Sequence, residues 1–488
     1  MLSDVTVPIA DACPGLFHAT SAQDGVLSRI RIPGGILNGQ QCEAIADLCD
    51  RFGSGAVQVT NRANLQIREL QAKIPADALQ SLQSVALAAP IPDADGVRNI
   101  MCSPTAGIDV RALLDTRPLA RNWNRYLVSR PDFGVLSSKF SVCFDGGEIV
   151  SVRDRPNDIT LVAMAVGESI QLRLHLSIGE RGEAPQDMGV SVRESEAISL
   201  LAALAAVYRD YSFAHSGQQR RKPRLRELLK EWGVERYLKT VARQLDFALI
   251  SDDRDRDEIP SRNYAHLGIH PQRQSGLAYI GVSLPLGRLK TRQLRELSAL
   301  SSHWGDGTLR LTPWQTVIVP HIPTPQVARV RQRIEALELS PRATHPRSAM
   351  VACSGTTGCS AAATDTQRHA RTLIAHLERC IVLDTPINIH FSGCEKSCAQ
   401  HRSGDITLVG IPGADTEAYC IYVGNDGSPF GRTLYSFSAA DALPRLIEAM
   451  IRAYQQYRQG GQESFGAFVN RHAIARLRQL FDSTLEQS

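Results

Sequence analysis

The chain has 488 residues, 43% of them apolar and 21% charged, with a formal net charge of +4. This is the composition of a globular protein with several cores; it excludes a disordered chain and gives no electrostatic reason to expect nucleic-acid binding. No run approaches the roughly eighteen apolar residues of a membrane span. The start, Met1 to Leu16, has Asp4 and no basic stretch, so it reads as a poor export signal, and eleven cysteines point to a reducing cytoplasm in which close pairs bind metal.

From Val26 to Ile32 the alternation of apolar and polar residues predicts a half-buried strand, ended by Pro33-Gly34-Gly35. Ile45, Leu48 and Phe52 then recur at helical spacing until Gly53-Ser54-Gly55 stops the helix, and strands follow over 56–60 and 65–70, joined by Asn61 to Asn64. The same order returns later. Pro33 and Pro285, Gly35 and Gly287, Gly53 and Gly305, and Thr60 and Thr312 are each 252 positions apart (285 minus 33, for example). Cys102 precedes Cys353 by 251, as Phe140-Ser141-Val142-Cys143 precedes Phe391-Ser392-Gly393-Cys394, and the pentapeptide starting at Asp158 reappears at Asp405 after 247. A register held through separate blocks means two copies of one α+β unit. The segment 206–266 lies between them, and Leu225, Leu228, Leu229 and Trp232 predict an amphipathic connecting helix there. Helices are predicted again from Leu443 to Tyr457 and near Glu463.

The copies differ in their cysteines. The second holds Cys353, Cys359, Cys394 and Cys398 in two close pairs among Gly, Ser and Thr; the first keeps Cys102 and Cys143, with Ile108 and Gly147 at the other two positions. Four thiolates on short Gly-rich loops suit a 4Fe-4S cluster. The five-residue gap of the first pair fits a zinc site less well, and a redox disulfide would show a two-residue gap. Cys102 and Cys143 read as small buried apolar residues. No Gly-x-Gly-x-x-Gly stands at a strand-to-helix junction, so a nicotinamide donor would act through a separate reductase.

With its Cys-x5-Cys and Cys-x3-Cys pairs and its duplication, the chain resembles the nitrite/sulfite reductase superfamily over about 16–475. The resemblance implies an α+β fold with two ferredoxin-like β-α-β-β pieces (1–88 and 267–340) and two α/β pieces (89–205, without a cluster, and 341–440, with one). A helical linker over 206–266 and C-terminal helices over 441–488 complete that division. In that family the last cysteine bridges the cluster to sirohaem, and basic residues of the first half meet the haem carboxylates and the anion. Its Thr-x-Arg loop matches Thr60-Asn61-Arg62, and its Arg-Asn segment matches Arg98-Asn99. Its Lys-x-Lys strand matches Lys139-Phe140-Ser141, where the second ammonium is missing.

The stretches Cys13 to Leu16, Arg29 to Gly35, Thr60 to Arg68, Leu311 to Gln315 and His390 to Ala399 are similar to the precorrin-3B synthase branch. That likeness implies an oxygen-dependent monooxygenase of cobalamin biosynthesis, hydroxylating precorrin-3A, a polycarboxylated tetrapyrrole, with dioxygen and an NADH-linked donor. Its expected site has the four cysteines on the 4Fe-4S cluster and Arg62, Arg98, Lys139, Asn64 and Gln66 around the substrate. It also implies a mononuclear non-haem iron, whose ligands have no readable spacing here; His390 and His401 are the first residues to test, with hydrogen bonding their more ordinary role. The alternatives are a sirohaem-dependent sulfite or nitrite reductase, disfavoured by Ser141, and an electron-transfer iron-sulfur subunit.

Overall fold

The computed structural model describes residues 14–180, 182–215, 221–251, 264–413 and 416–486. Cys13, the N-terminal segment and parts of the expected linker (216–220 and 252–263) lie outside them. No helix of the described residues is long and apolar enough to cross a membrane.

The duplicated units share strands. One antiparallel sheet has the spatial order Thr20–Ala22, Gly25–Ile30, Leu65–Leu70, Ala56–Val59 and then Arg288–Lys290 from the other copy. The second has Gly268–Pro271, Leu277–Val282, Val317–Pro323, Thr308–Leu311 and then Ile36–Asn38 from the first copy. Each copy therefore hands one short strand to the other's sheet, pairing Leu37 with Leu309 and Leu289 with Val57. The crossing point is a glycine in the left-handed region on each side, Gly35 at φ 71° and Gly287 at φ 72°. A Cβ there would come within 3.0 Å of the Leu311 carbonyl in the first case and 2.7 Å of Gln315 Oε1 in the second.

The helices that follow, Gly39–Phe52 and Thr291–Trp304, bury their apolar faces in one core built from both copies. A capping box starts the first: Asn38 accepts from the Gln41 N–H, and Gln41 accepts from the Asn38 N–H. Gly53 ends it by donating to the Cys49 carbonyl. Across the pseudo-twofold axis Arg295 reaches Glu43 at 2.7 Å, Asp47 at 2.6 Å and Asp50 at 2.6 Å; Glu43 is its own counterpart, 252 positions away.

Two further sheets repeat a second pattern. In each, three strands run parallel (Asn99–Cys102, Ser141–Asp145, Ile159–Val166; Met350–Ala352, Ile389–Ser392, Ile406–Ile411) before the sheet turns antiparallel. The expected connecting helix is two helices, Leu225–Trp232 and Val234–Ala242, broken at Gly233 with φ 76°. Leu225, Leu228, Leu229, Tyr237 and Val241 are buried in the core of the first copy, so hydrophobic burial draws this segment onto a domain. Leu443–Tyr457 is a helix as its periodicity predicts, and the tail beyond Glu463 splits into Phe465–Asn470 and Ile474–Glu486.

Candidate functional site

The four cysteines of the second copy follow the carboxyl ends of two adjacent parallel strands, Met350–Ala352 and Ile389–Ser392. Gly355, at φ 63°, turns the first loop between Cys353 and Cys359; a Cβ there would lie 2.6 Å from the Thr366 nitrogen. The Gly393 N–H donates to Cys353 Sγ at 3.2 Å, and the Thr366 hydroxyl lies 3.6 Å from the same sulfur. Ser392 Oγ donates to the Cys394 carbonyl at 2.7 Å, shaping the second loop.

Both loops are tied to the ferredoxin-like sheets from far away in sequence. Arg68, paired with Asp24 at 2.7 Å, donates to the Gly358 carbonyl at 2.8 Å. Asn61 donates to the Cys398 carbonyl at 3.2 Å, and Gln315 to the Ala399 carbonyl at 3.0 Å. Asn61 and Gln315 sit in matching tight turns, one per copy, each closed by a threonine N–H (Thr60 or Thr312) donating to the carbonyl four residues on.

All four cysteines face one cavity of about 500 Å³. Its other wall is the first sheet, where Arg29, Gln58, Gln66 and Arg68 point outward while Ile30, Val57, Val59, Leu65 and Ile67 fill the core behind, as strand alternation requires. Four thiols on Gly-rich loops around one cavity, with the Gly393 amide directed at a sulfur, suit a cubane cluster.

The matching place in the first copy is solid. Ile108, Tyr279 and Ile318, the counterparts of Cys359, Leu27 and Gln66, are buried against one another. Burial pushes the Cys102 thiol up to about 12 and the Cys143 thiol well above its usual range, which keeps both protonated.

The expected substrate residues do not share one wall. Gln66 lines the cysteine cavity, its amide donating to Gln58 at 2.8 Å. Arg62 lines a smaller adjoining space of about 70 Å³ on the pseudo-twofold axis, facing its counterpart Trp314 and the matched pair Arg155 and Arg402, with Asp154 between those two arginines. Trp314 stacks on His266, ring centroids 4.4 Å apart, and burial with Arg155 nearby lowers that imidazole to about 3. Asn64 is buried, accepting from the Ile32 N–H at 2.8 Å, so it holds the turn. Arg98 lies on a separate cavity of about 330 Å³, ion-paired with Asp95 at 3.0 Å. Lys139 is exposed, and Ser141 donates from its backbone and its hydroxyl to Asp158.

Of the two histidines, His401 lines the smaller space, whereas His390 is fully buried and neither ring nitrogen has a hydrogen-bond partner among the described residues. The hydrogen bond expected of His390 is therefore not made among the described residues, and burial, with His401 nearby, lowers its pKa to about 3. Sequence reading missed Arg29, Arg68, Gln58 and Gln315; the outward phase of the strands would have marked the first three.

The profile of the "Nitrite and sulphite reductase 4Fe-4S domain" matches residues 93–249 and 345–488, and that of the "Nitrite/Sulfite reductase ferredoxin-like half domain" matches 19–85 and 270–337. The ferredoxin–nitrite reductase of Synechococcus elongatus is 31% identical, covering 90% of this chain and 88% of its own length. The chloroplastic ferredoxin–nitrite reductase of Arabidopsis thaliana is 29% identical over 85% of this chain and 71% of its own. Sulfite reductase [ferredoxin] 2 of Mycolicibacterium paratuberculosis is 27% identical over 89% and 80%. The structure of Mycobacterium tuberculosis NirA superposes with a TM-score of 0.78 at 24% identity, covering 93% of this chain and 85% of that one, which shows the same fold.

These relatives overturn the reading as a precorrin-3B synthase, and with it precorrin-3A, dioxygen and an NADH-linked donor. The physical reason lies in the residues that suggested that branch. Asn61, Ser392 and Asn64 hold backbone carbonyls and amides in the loops, so they report how the site is tied together and not what it binds. Among the described residues the close metal-donor group is His376, Cys380 and Glu448, which is not the two histidines and a carboxylate of the expected mononuclear iron.

Proposed function

The chain belongs to the nitrite and sulphite reductase family of iron-sulfur oxidoreductases, and from that premise we propose that it reduces nitrite or sulfite with electrons from a ferredoxin. The 4Fe-4S cluster of the family would be held here by Cys353, Cys359, Cys394 and Cys398, with sirohaem in the adjoining cavity. The observation that carries this reading is the cavity itself: it opens between the four thiols and an outward-facing row of Arg29, Gln58 and Gln66, whereas its counterpart is filled by three apolar side chains. When bound, sirohaem supplies the iron at which an anion is reduced.

The residues of this chain divide the remaining tasks. Arg29, and Arg62 from the neighbouring space, offer planar forked donors to the acidic rim of a tetrapyrrole. Arg68 serves as a strut, since its guanidinium is engaged by Asp24 and the Gly358 carbonyl. Asn61 and Gln315 fix the loop of the last cysteine against the first and second sheets, so that Cys398 would be held in place for the cluster. Ser141 is committed to Asp158, and the positive charge lining the two spaces comes from arginines such as Arg29 and Arg62.

Protein purified without oxygen is expected to show a sharp tetrapyrrole band above the broad cluster absorption and to consume nitrite or sulfite when given reduced ferredoxin. A cluster spectrum alone, with neither anion consumed, would sink the proposal. Arg62→Ala is expected to lower the sirohaem retained per cluster; unchanged retention would remove Arg62 from the pocket.

A further inference from the structure

We propose that His376, Cys380 and Glu448 form a second metal site, for zinc or a similar borderline divalent ion, separate from the iron-sulfur cysteines and independent of the reaction proposed above. His376 and Cys380 are one turn apart near the end of the helix Thr366–Cys380, and side chains four residues apart share a helical face. Glu448 comes from the helix Leu443–Tyr457 packed beside it. One nitrogen, one sulfur and one oxygen donor lie within 4.8 Å of one another.

Glu448 Oε2 is 2.6 Å from His376 Nε2, while its other oxygen accepts from Arg452 Nε at 2.8 Å. Arg452 also donates to the Cys380 carbonyl at 2.9 Å. The carboxylate and the cysteine backbone are thus oriented by one outer side chain, as the partners of metal ligands usually are. The His376–Glu448 hydrogen bond alone explains two of the three residues; it leaves unexplained a thiol brought to the same point.

The donor set decides the ion. Magnesium and calcium take oxygen donors, whereas a mixed imidazole, thiolate and carboxylate set suits zinc. On binding, the Cys380 thiol gives its proton to solvent, and thiolate plus carboxylate balance the charge of the dication. Side-chain exposures of 19% for His376 and 12% for Glu448 leave a path for the ion and a fourth position for water. Thr366, at the start of the same helix, touches Cys353; ten residues at about 1.5 Å rise place His376 roughly 15 Å along it. An ion there would pin the far half of the helix that supports the first cluster cysteine.

The test equilibrates the cluster-loaded full chain with zinc sulfate, removes free ion by gel filtration and measures both metals. One zinc per chain with iron unchanged is expected, and X-ray absorption at the zinc edge should show one sulfur among nitrogen and oxygen neighbours. Cys380→Ser and His376→Ala should each abolish retention while keeping the cluster absorption, which reports folding; Arg452→Gln should weaken zinc binding by about tenfold. Wild-type protein that keeps no zinc, variants that keep as much as wild type, or a sulfur-rich zinc shell accompanied by iron loss would each overturn the site.

Discussion

The two copies of the unit repeat the same strand order around the cysteine loops and differ in what their sheets present to those loops. In the second, Cys359 faces a cavity walled by Gln66 and by Arg68, which holds the Gly358 carbonyl. In the first, Ile108 packs on Tyr279 and Ile318, and the equivalent carbonyl, Gly107, is held instead by Gln274 at 2.9 Å. Arg310, in the place of Gln58, is buried and donates to the carbonyls of Pro104 and Ala106. The same scaffold thus supports an open redox site when its sheet carries outward polar side chains, and a packed core when it carries large apolar ones. Duplication supplied two chances at a site, and side-chain volume closed one of them.

The largest expected effect removes a ligand from the open copy: Cys359→Ala should bring iron content and visible absorption to baseline. Iron retained at the wild-type level would break the assignment of the cluster to this copy. Next, Ile108→Ala should leave iron unchanged and cost about 2–5 kcal/mol through a cavity in the closed copy. A urea midpoint equal to wild type would mean that this place is not close-packed.

Matched aspartates sharpen the comparison further. Burial raises Asp405 to about 6, whereas Asp158 has Arg224 at 3.6 Å. The folded chain therefore keeps a proton on Asp405 that the unfolded chain releases near pH 4, so this contribution is full below about pH 4 and is lost as pH rises through 6. Relative to the non-titrating Asp405→Asn, the wild type should lose about 2–3 kcal/mol of stability between pH 4 and pH 7. Asp158→Asn should destabilise at pH 7, and thermal melts at the two pH values check both signs. Smallest is the dyad cluster. Arg295→Ala removes three half-exposed pairs, and Arg295 holds Asp50 below the usual carboxylate range. A loss of about 1 kcal/mol that shrinks in high salt is expected; a salt-independent loss would point to packing instead.

Much of the fold was legible in the sequence because its signals run along the chain. The 252-residue register located both copies, alternation from Val26 to Ile32 located the first long strand, and glycine stops ended the helices where periodicity failed. The unequal cysteine count showed which copy differs. Arg98 and Asn64 were harder to place, since a motif gives a residue's neighbours in the chain and not the cavity its side chain reaches.

What only the tertiary structure decided depends on partners hundreds of positions apart. The exchange of Ile36–Asn38 and Arg288–Lys290 between sheets joins the copies through backbone hydrogen bonds, which no side-chain pattern encodes. The bonds from Asn61 to Cys398 and from Arg68 to Gly358 cross more than half the chain, so they exist only after the copies pack. By itself the sequence determined a duplicated α+β frame with four thiols in one half. Packing decided that those thiols face an open cavity, and that the matching place opposite is filled by Ile108, Tyr279 and Ile318, because close-packed apolar volume is a property of side chains that meet only in three dimensions.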